Sequence, residues 1–199
     1  FEVGPYDGLY VPRDKSIEVA ACEQECDLAE FSAPVDGHYS VQFVPFAGVR
    51  SNSGLSFRAG GESYSRQVNI VIGENVQAGR ILAGVTFSDP GHWTSWPPHE
   101  HGEMLEEAYL FIDMPSPSWG LQFVYTQPGH PEVAALVREG DCVLIPKGYH
   151  PNVAAPNGCI NFLWMMAARR EVVDRRFGVV NLQPEYCASG SGLEAGRIA

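Results

Sequence analysis

An all-β sandwich or barrel is the fold class predicted by this sequence of 199 residues. Three observations carry that expectation. Glycine and proline, at 21 and 15 residues, punctuate the whole chain. Apolar residues at helical spacing are almost absent, whereas several short runs alternate apolar and polar side chains with period two. Those runs recur at short intervals, as strands joined by turns do in sandwiches and barrels.

In chain order the expected strands are 8–11, 16–22, 39–44, 66–72, 78–87, 107–112, 121–125, 142–145 and 160–167. The first three precede a stretch rich in Ser, Gly and Arg at 48–65, which reads as a linker. The strand at 107–112 opens with a carboxylate after a turn at 102–105. The strand at 142–145 is bounded by a turn at Gly140 and by Pro146-x-Gly148, and 160–167 lies in the longest apolar run. Only 132–138 and 169–176 have helical character, and both are short. The expected organisation is an N-terminal β segment with its linker at 1–65, a C-terminal β domain at 66–184, and a loosely held tail at 185–199. There is no period of the length that marks a solenoid or propeller.

Composition narrows the function classes. With 45% hydrophobic and 19% charged residues the chain can bury enough apolar surface to offset its ordering entropy, so disorder is excluded as the main state. Thirteen Lys+Arg against 24 Asp+Glu give a formal charge of −11, which argues against a nucleic-acid partner. The run at 160–168 is far short of the roughly 20 apolar residues that span a bilayer, so no membrane segment is expected. The start, Phe1-Glu2-Val3-Gly4-Pro5, has no initiating Met and no secretory layout; the chain is expected to be a fragment or to begin at its first ordered residue. Cys22, Cys26, Cys142, Cys159 and Cys187 form an odd, scattered set, read as reduced thiols of a cytoplasmic protein. Cys22 and Cys26 have no second Cys or His pair near them and read as two unrelated thiols.

Chemistry concentrates between Gly91 and Tyr109, which hold His92, His99 and His101. His99 and His101 are separated by one residue, and on a strand that spacing puts both imidazoles on one face. Two neutral imidazoles on one face can chelate a divalent metal, and the strand that follows the turn can supply a carboxylate oxygen. About 40 residues on, Gly140-Asp-Cys-Val-Leu-Ile-Pro-Lys-Gly-Tyr-His150-Pro reads as a turn, a buried strand, a second turn and a histidine. Together these segments can close a site of three histidines and one glutamate, with positions left open for water or substrate. His130, in Pro128-Gly-His-Pro131, reads as a turn residue.

The order His-x-His, Glu, strand, then Gly-x5-Pro-x-Gly-x-His resembles the two signature motifs of the cupins, small double-sheet β-barrels. In that resemblance the ligand carboxylate precedes an apolar residue and an aromatic, which favours Glu107 of Glu107-Ala108-Tyr109 over Glu106. A closer resemblance covers most of the chain. The stretches 91–101, 105–109, 122–126, 137–141 and 143–151 are similar to the 5-deoxy-glucuronate isomerases of myo-inositol catabolism. Upstream, Tyr10-Val11-Pro12-Arg13 followed by Ile17-Glu18-Val19 is similar to the end of that family's first cupin half. The resemblance therefore implies a double-stranded β-helix, a bicupin whose N-terminal half is incomplete here. The sister 4-deoxy-5-keto-uronate isomerases of pectin breakdown share that plan, but Trp96-Pro-Pro-His99 and Pro146-Lys-Gly-Tyr-His-Pro151 favour the inositol branch.

What the resemblance implies is an aldose–ketose isomerase acting on a small acidic sugar. One divalent metal, Zn ahead of Mn or Fe on ligand type, would be held by His99, His101, Glu107 and His150. Such a metal polarises the carbonyl and neutralises the developing oxyanion as the adjacent carbon loses its proton. Candidates for the catalytic proton carrier are Tyr125 and Lys147, and candidates for substrate binding are Gln122, Arg138 and Tyr149. Arg138 and Lys147 are the nominees for the substrate carboxylate, with a cation from the N-terminal half as the alternative. A metal-dependent oxygenase and a non-catalytic sugar-acid binding module are the competing classes. Pairing through strand edges makes a homo-oligomer the expected assembly.

Overall fold

The computed structural model describes residues 1–22 and 25–189, the side chains of 187–189 excepted. The Cys187 thiol and the part of the expected tail beyond residue 189 lie outside the described residues. The ribbon β1 (Gly8–Tyr10) with β2 (Gln42–Val44) is followed by the short helix α1 (Phe46–Ser51). Then come β3 (Ser56–Ala59), β4 (Arg66–Ile72), β5 (Ile81–Ser88), β6 (Trp93–Thr94), β7 (His99–Glu100) and β8 (Leu105–Phe111). The chain continues through β9 (Gly120–Val124), β10 (Val133–Val137), β11 (Cys142–Ile145), β12 (Asn152–Ala154) and β13 (Phe162–Ala168). It closes with β14 (Asn181–Leu182) and a 3-10 turn, Pro184–Ser189.

Two antiparallel sheets dominate. One has the strand order β11-β8-β13-β5-β4-β3, the other β10-β9-β12-β6, and a small pair joins β14 to β7. Side chains from both sheets meet in one cluster: Val68, Leu82, Phe111 and Phe162 from the first, Val124, Val137 and Ala154 from the second. Phe111, Phe162 and Leu82 are fully buried, each contributing about 1.5–3 kcal/mol of transfer free energy. The mostly-β expectation holds, and no helix among the described residues is long and apolar enough to cross a membrane.

Several expected elements differ, for physical reasons. Residues 132–138 carry good helix formers, yet β10 pairs with β9 from Val133↔Val124 to Val137↔Gly120, so sheet pairing and burial override local propensity. Residues 169–176 form turns instead of a helix; Asp174 accepts from the Arg170 amide at 2.9 Å and pairs with its guanidinium at 2.7 Å. The expected strand at 16–22 is absent: these residues pair with no strand among the described residues, and Ile17 and Val19 are left more than half exposed. The expected linker at 48–65 instead carries the end of α1 and all of β3, which pairs with β4 from Ser56↔Asn69 to Ala59↔Arg66. The first residues of the expected loose tail form the 3-10 turn, where the Tyr186 ring meets Trp96 at 4.8 Å.

The N-terminal stretch is pinned to the larger sheet. Tyr10, Val76 and Ala78 form a second small core with Tyr39, Val44 and Ile72 around it. The Glu171 carboxylate accepts from the amides of Asp36 and Gly37 and, at 2.6 Å, from the Tyr39 hydroxyl.

Candidate metal centre

The alternation expected around His99 and His101 is present: both are buried, while Glu100 between them turns outward and accepts from Asn181 at 3.1 Å. Gly102, at φ +55°, starts the turn that reverses the chain into β8, and the Met104 amide closes it on the His101 carbonyl at 3.1 Å. Along β8 Leu105 is buried, Glu106 exposed and Glu107 buried, so Glu107 is the carboxylate that faces the histidines. His150 arrives from the turn between β11 and β12. Gly148 in that turn has φ +96°, and a Cβ there would stand 2.7 Å from the Tyr125 carbonyl oxygen, so only glycine fits.

These four side chains converge. One ligand atom from each of His99, His101 and His150 lies within 4.8 Å of the others. Glu107 Oε2 stands 3.1 Å from His101 Nε2 and 3.1 Å from His150 Nε2. The backbone fixes two rings from behind: His99 Nδ1 meets the Pro97 carbonyl at 3.1 Å, and His150 Nδ1 the Gly148 carbonyl at 2.9 Å. Donating Nδ1–H to a carbonyl leaves Nε2 with a lone pair aimed inward, the tautomer a metal takes. His101 Nδ1 is buried without a hydrogen-bond partner, and His150 Nε2, although 3.1 Å from Glu107 Oε2, makes no well-aligned hydrogen bond to it. A buried ring nitrogen without a partner is costly unless something binds it, so the donor set fits a divalent metal.

Electrostatics agree. Burial pushes the His99 imidazolium strongly down, and the neighbouring His150 and His101 push the same way, so His99 is neutral and available as a ligand. For Glu107 burial pushes the carboxyl up, but the close contacts with His101 and His150 outweigh it and leave it at about 2. The centre thus offers three imidazoles and one carboxylate.

A cavity opens beside them, lined among others by Arg66, Ser95, His99, Glu107, Tyr109 and Trp164. Ser95, at φ +48°, shares a 2.8 Å hydrogen bond with the Tyr109 hydroxyl. Burial, reinforced by the Glu107 charge, raises Tyr109 well above the ordinary phenol value, so it stays protonated. Arg66 and the Ser95–Tyr109 pair are absent from the sequence candidates. A signal for Arg66 existed, because it is in phase with Val68 and Ile70 on the buried face of β4. Ser95 carries no such signal, since its loop conformation is set by tertiary contacts.

The remaining sequence candidates lie elsewhere or are otherwise engaged. Gln122 is fully buried, but its amide donates to the His150 carbonyl at 3.0 Å and to that of Pro151 at 3.3 Å, and its oxygen accepts from Asn152 at 2.9 Å. It braces the loop that carries His150. Tyr125 donates its hydroxyl to Gln183 at 2.7 Å, and its ring lies 5.6 Å from that of Tyr149. Lys147 is exposed. Arg138 is exposed as well and lines a different pocket with Met114 and Glu139, away from the histidines. His92 is engaged by the Ser65 amide at 3.1 Å and stands outside the cluster.

Comparison with known proteins gives a consistent answer. The profile of the KduI/IolB family matches residues 1–179. A 5-deoxy-glucuronate isomerase of Geobacillus thermodenitrificans is 34% identical over 165 residues, which cover 79% of this chain and 58% of that protein. The enzyme of that name from Shouchella clausii is 28% identical over 169 residues, covering 81% and 60%. The chain thus spans under two thirds of the length of these relatives. Among solved structures an IolB-like protein of Salmonella typhimurium superimposes with a TM-score of 0.65 at 23% identity, over 79% of this chain and 59% of that one. That likeness shows a shared mostly-β fold.

Proposed function

This chain belongs to the KduI/IolB family, and from that premise we propose that it works as a metal-dependent aldose–ketose isomerase of a sugar acid, with 5-deoxy-glucuronate as substrate. The observation that carries the reading is the convergence of His99, His101 and His150 on Glu107, with the buried His101 Nδ1 left unpartnered. His99, His101, Glu107 and His150 would hold the metal, zinc ahead of manganese or iron on an imidazole-rich donor set. When bound, a divalent ion supplies Lewis-acid polarisation of a carbonyl and stabilises negative charge on its oxygen.

The chain's own residues supply the rest. Glu107, held ionised, and the neutral His99 imidazole, with His101 and His150 beside them, orient the reacting carbonyl region without carrying its proton. The protonated Tyr109 hydroxyl, linked to Ser95, lines the cavity and can donate to a developing oxyanion. Trp164 and Phe162 line its walls with apolar surface, which favours expulsion of water when a substrate fills the site. Gln122 holds the His150 backbone in place. Residues 66–184 are assigned to the metal-binding cupin half and 1–65 to the remainder of a second half. A cytoplasmic setting is supported by Cys22, Cys26, Cys142 and Cys159, which are free thiols.

The test is elemental analysis of metal in the wild type and in His101→Ala, paired with an NMR assay of each for conversion of 5-deoxy-glucuronate. Near-stoichiometric metal and turnover in the wild type, both lost in the variant, are expected. Turnover that survives removal of the metal would overturn the reading.

A further inference from the structure

Arg66 is 2% exposed and lines the same cavity as His99, Glu107 and Tyr109. It projects from the start of β4 on the face that carries Val68 and Ile70 into the core. A guanidinium has five N–H donors, yet one hydrogen bond, Nη1 to the Tyr64 carbonyl at 3.2 Å, is all that engages it among the described residues. No carboxylate of those residues lies within 4.0 Å of it, Glu107 included, which the histidines already occupy. Burial lowers it to about 10, so it remains a cation at neutral pH.

A buried, unpaired charge is costly, and chains keep one where a ligand completes it. The balance around the cavity sharpens the point. One Glu107 charge faces Arg66 and, in the loaded protein, a dication, so the site is positive inside a chain of net charge −11. The other cations nominated by the sequence, Arg138 and Lys147, are exposed. The planar fork of a guanidinium matches a carboxylate in two parallel hydrogen bonds, as a lysine cannot.

We infer that Arg66 is the residue that binds the carboxylate of the substrate, anchoring a sugar acid by its acidic end while its carbonyl end faces the histidine centre. The inference rests on the sugar-acid reading of that centre and adds to it the residue that selects acid over neutral sugar.

The experiment compares metal-loaded wild type with Arg66→Met and Arg66→Lys, using D-glucuronate and D-glucose as probes in calorimetric titration and 5-deoxy-glucuronate in steady-state assay. Wild type is expected to prefer the acid probe, and Arg66→Met to lose that preference while keeping its metal. The KM of Arg66→Met should rise about 30-fold or more, with a much smaller change in kcat, as expected when uniform binding is removed. An acid preference that persists in Arg66→Met would overturn the inference, since the carboxylate would then be held elsewhere. Loss of the preference in Arg66→Met, alongside a wild type that prefers the acid probe but fails to turn over 5-deoxy-glucuronate, would leave the anion subsite standing and sink only the proposed reaction. Should Arg66→Met not fold, the Arg66 Nε–H NMR signal of the wild type, assigned by its absence from Arg66→Lys, decides the matter. A shift with D-glucuronate and none with D-glucose supports the contact; no shift with either overturns it.

Discussion

The Gln122 side-chain amide donates a 3.0 Å hydrogen bond to the carbonyl of His150, tying β9 to the loop that carries a proposed metal ligand. Gln122 is itself held by Asn152, whose oxygen accepts from Thr94, so three buried polar side chains form one closed network. Replacing Gln122 by Leu would leave the Asn152 amide and the His150 carbonyl unsatisfied. The expected result is a loss of about 1–3 kcal/mol in denaturant unfolding and a roughly 10–100-fold weaker metal affinity, read by chelator competition.

Gly148→Ala tests the same loop from the other end. The new Cβ would press on the Tyr125 carbonyl at 2.7 Å in a backbone region that disfavours side chains. A destabilisation on the order of 1–3 kcal/mol is expected, together with reduced metal content, because His150 is two residues on. Native thermal midpoint and native metal occupancy in this variant would count against the role assigned to the turn.

Removing the metal should reveal how much of the fold depends on it. The two large sheets share an apolar core, so chelation is expected to leave the far-ultraviolet circular dichroism spectrum intact. Thermal stability should fall by the linkage that any ligand of the native state provides. Full unfolding by chelator would show that the centre is structural.

The Glu171 clasp predicts a pH dependence. The Tyr39 hydroxyl and the amides of Asp36 and Gly37 hold this carboxyl below its usual range, against a smaller opposing effect of burial. A carboxylate with a depressed native value stabilises the fold above its unfolded value of about 4.3 and loses that contribution as pH falls through the native value. Glu171→Gln should therefore be less stable than wild type at pH 7. The gap should close as the solution is taken into the acid range below the unfolded value, measured by urea unfolding across a pH series. A gap independent of pH would show that the charge plays no part in the clasp.

Self-association is expected through an exposed sheet edge. β11 ends the six-stranded sheet, and Leu144 on it is 71% exposed. Light scattering at micromolar concentration should show a homodimer or larger species for wild type and a smaller one for Leu144→Lys. A monomeric wild type would refute the assembly.

The local pattern alone was enough to place most strands of the two sheets and to bring forward His99, His101 and His150 with a nearby glutamate as a potential ligand set. Period-two alternation decides which side chains share a face, and it needs no knowledge of the partner strand. The choice of Glu107 over Glu106 came from the resemblance to the cupin motif, and the alternating burial at the start of β8 agrees with it. What only the tertiary structure decided was where a segment with mixed signals goes and which polar side chains end up facing one another. Residues 133–137 became a strand because they pair along the edge of β9, whereas 16–22 have no partner strand among the described residues. Arg66 and Tyr109 share a cavity although 43 positions apart, through β4 and β8 lying three strands from each other in one sheet. Such encounters depend on strand order, a long-range property set by how the whole core closes, whereas facing along a strand is set by the chain's own stereochemistry.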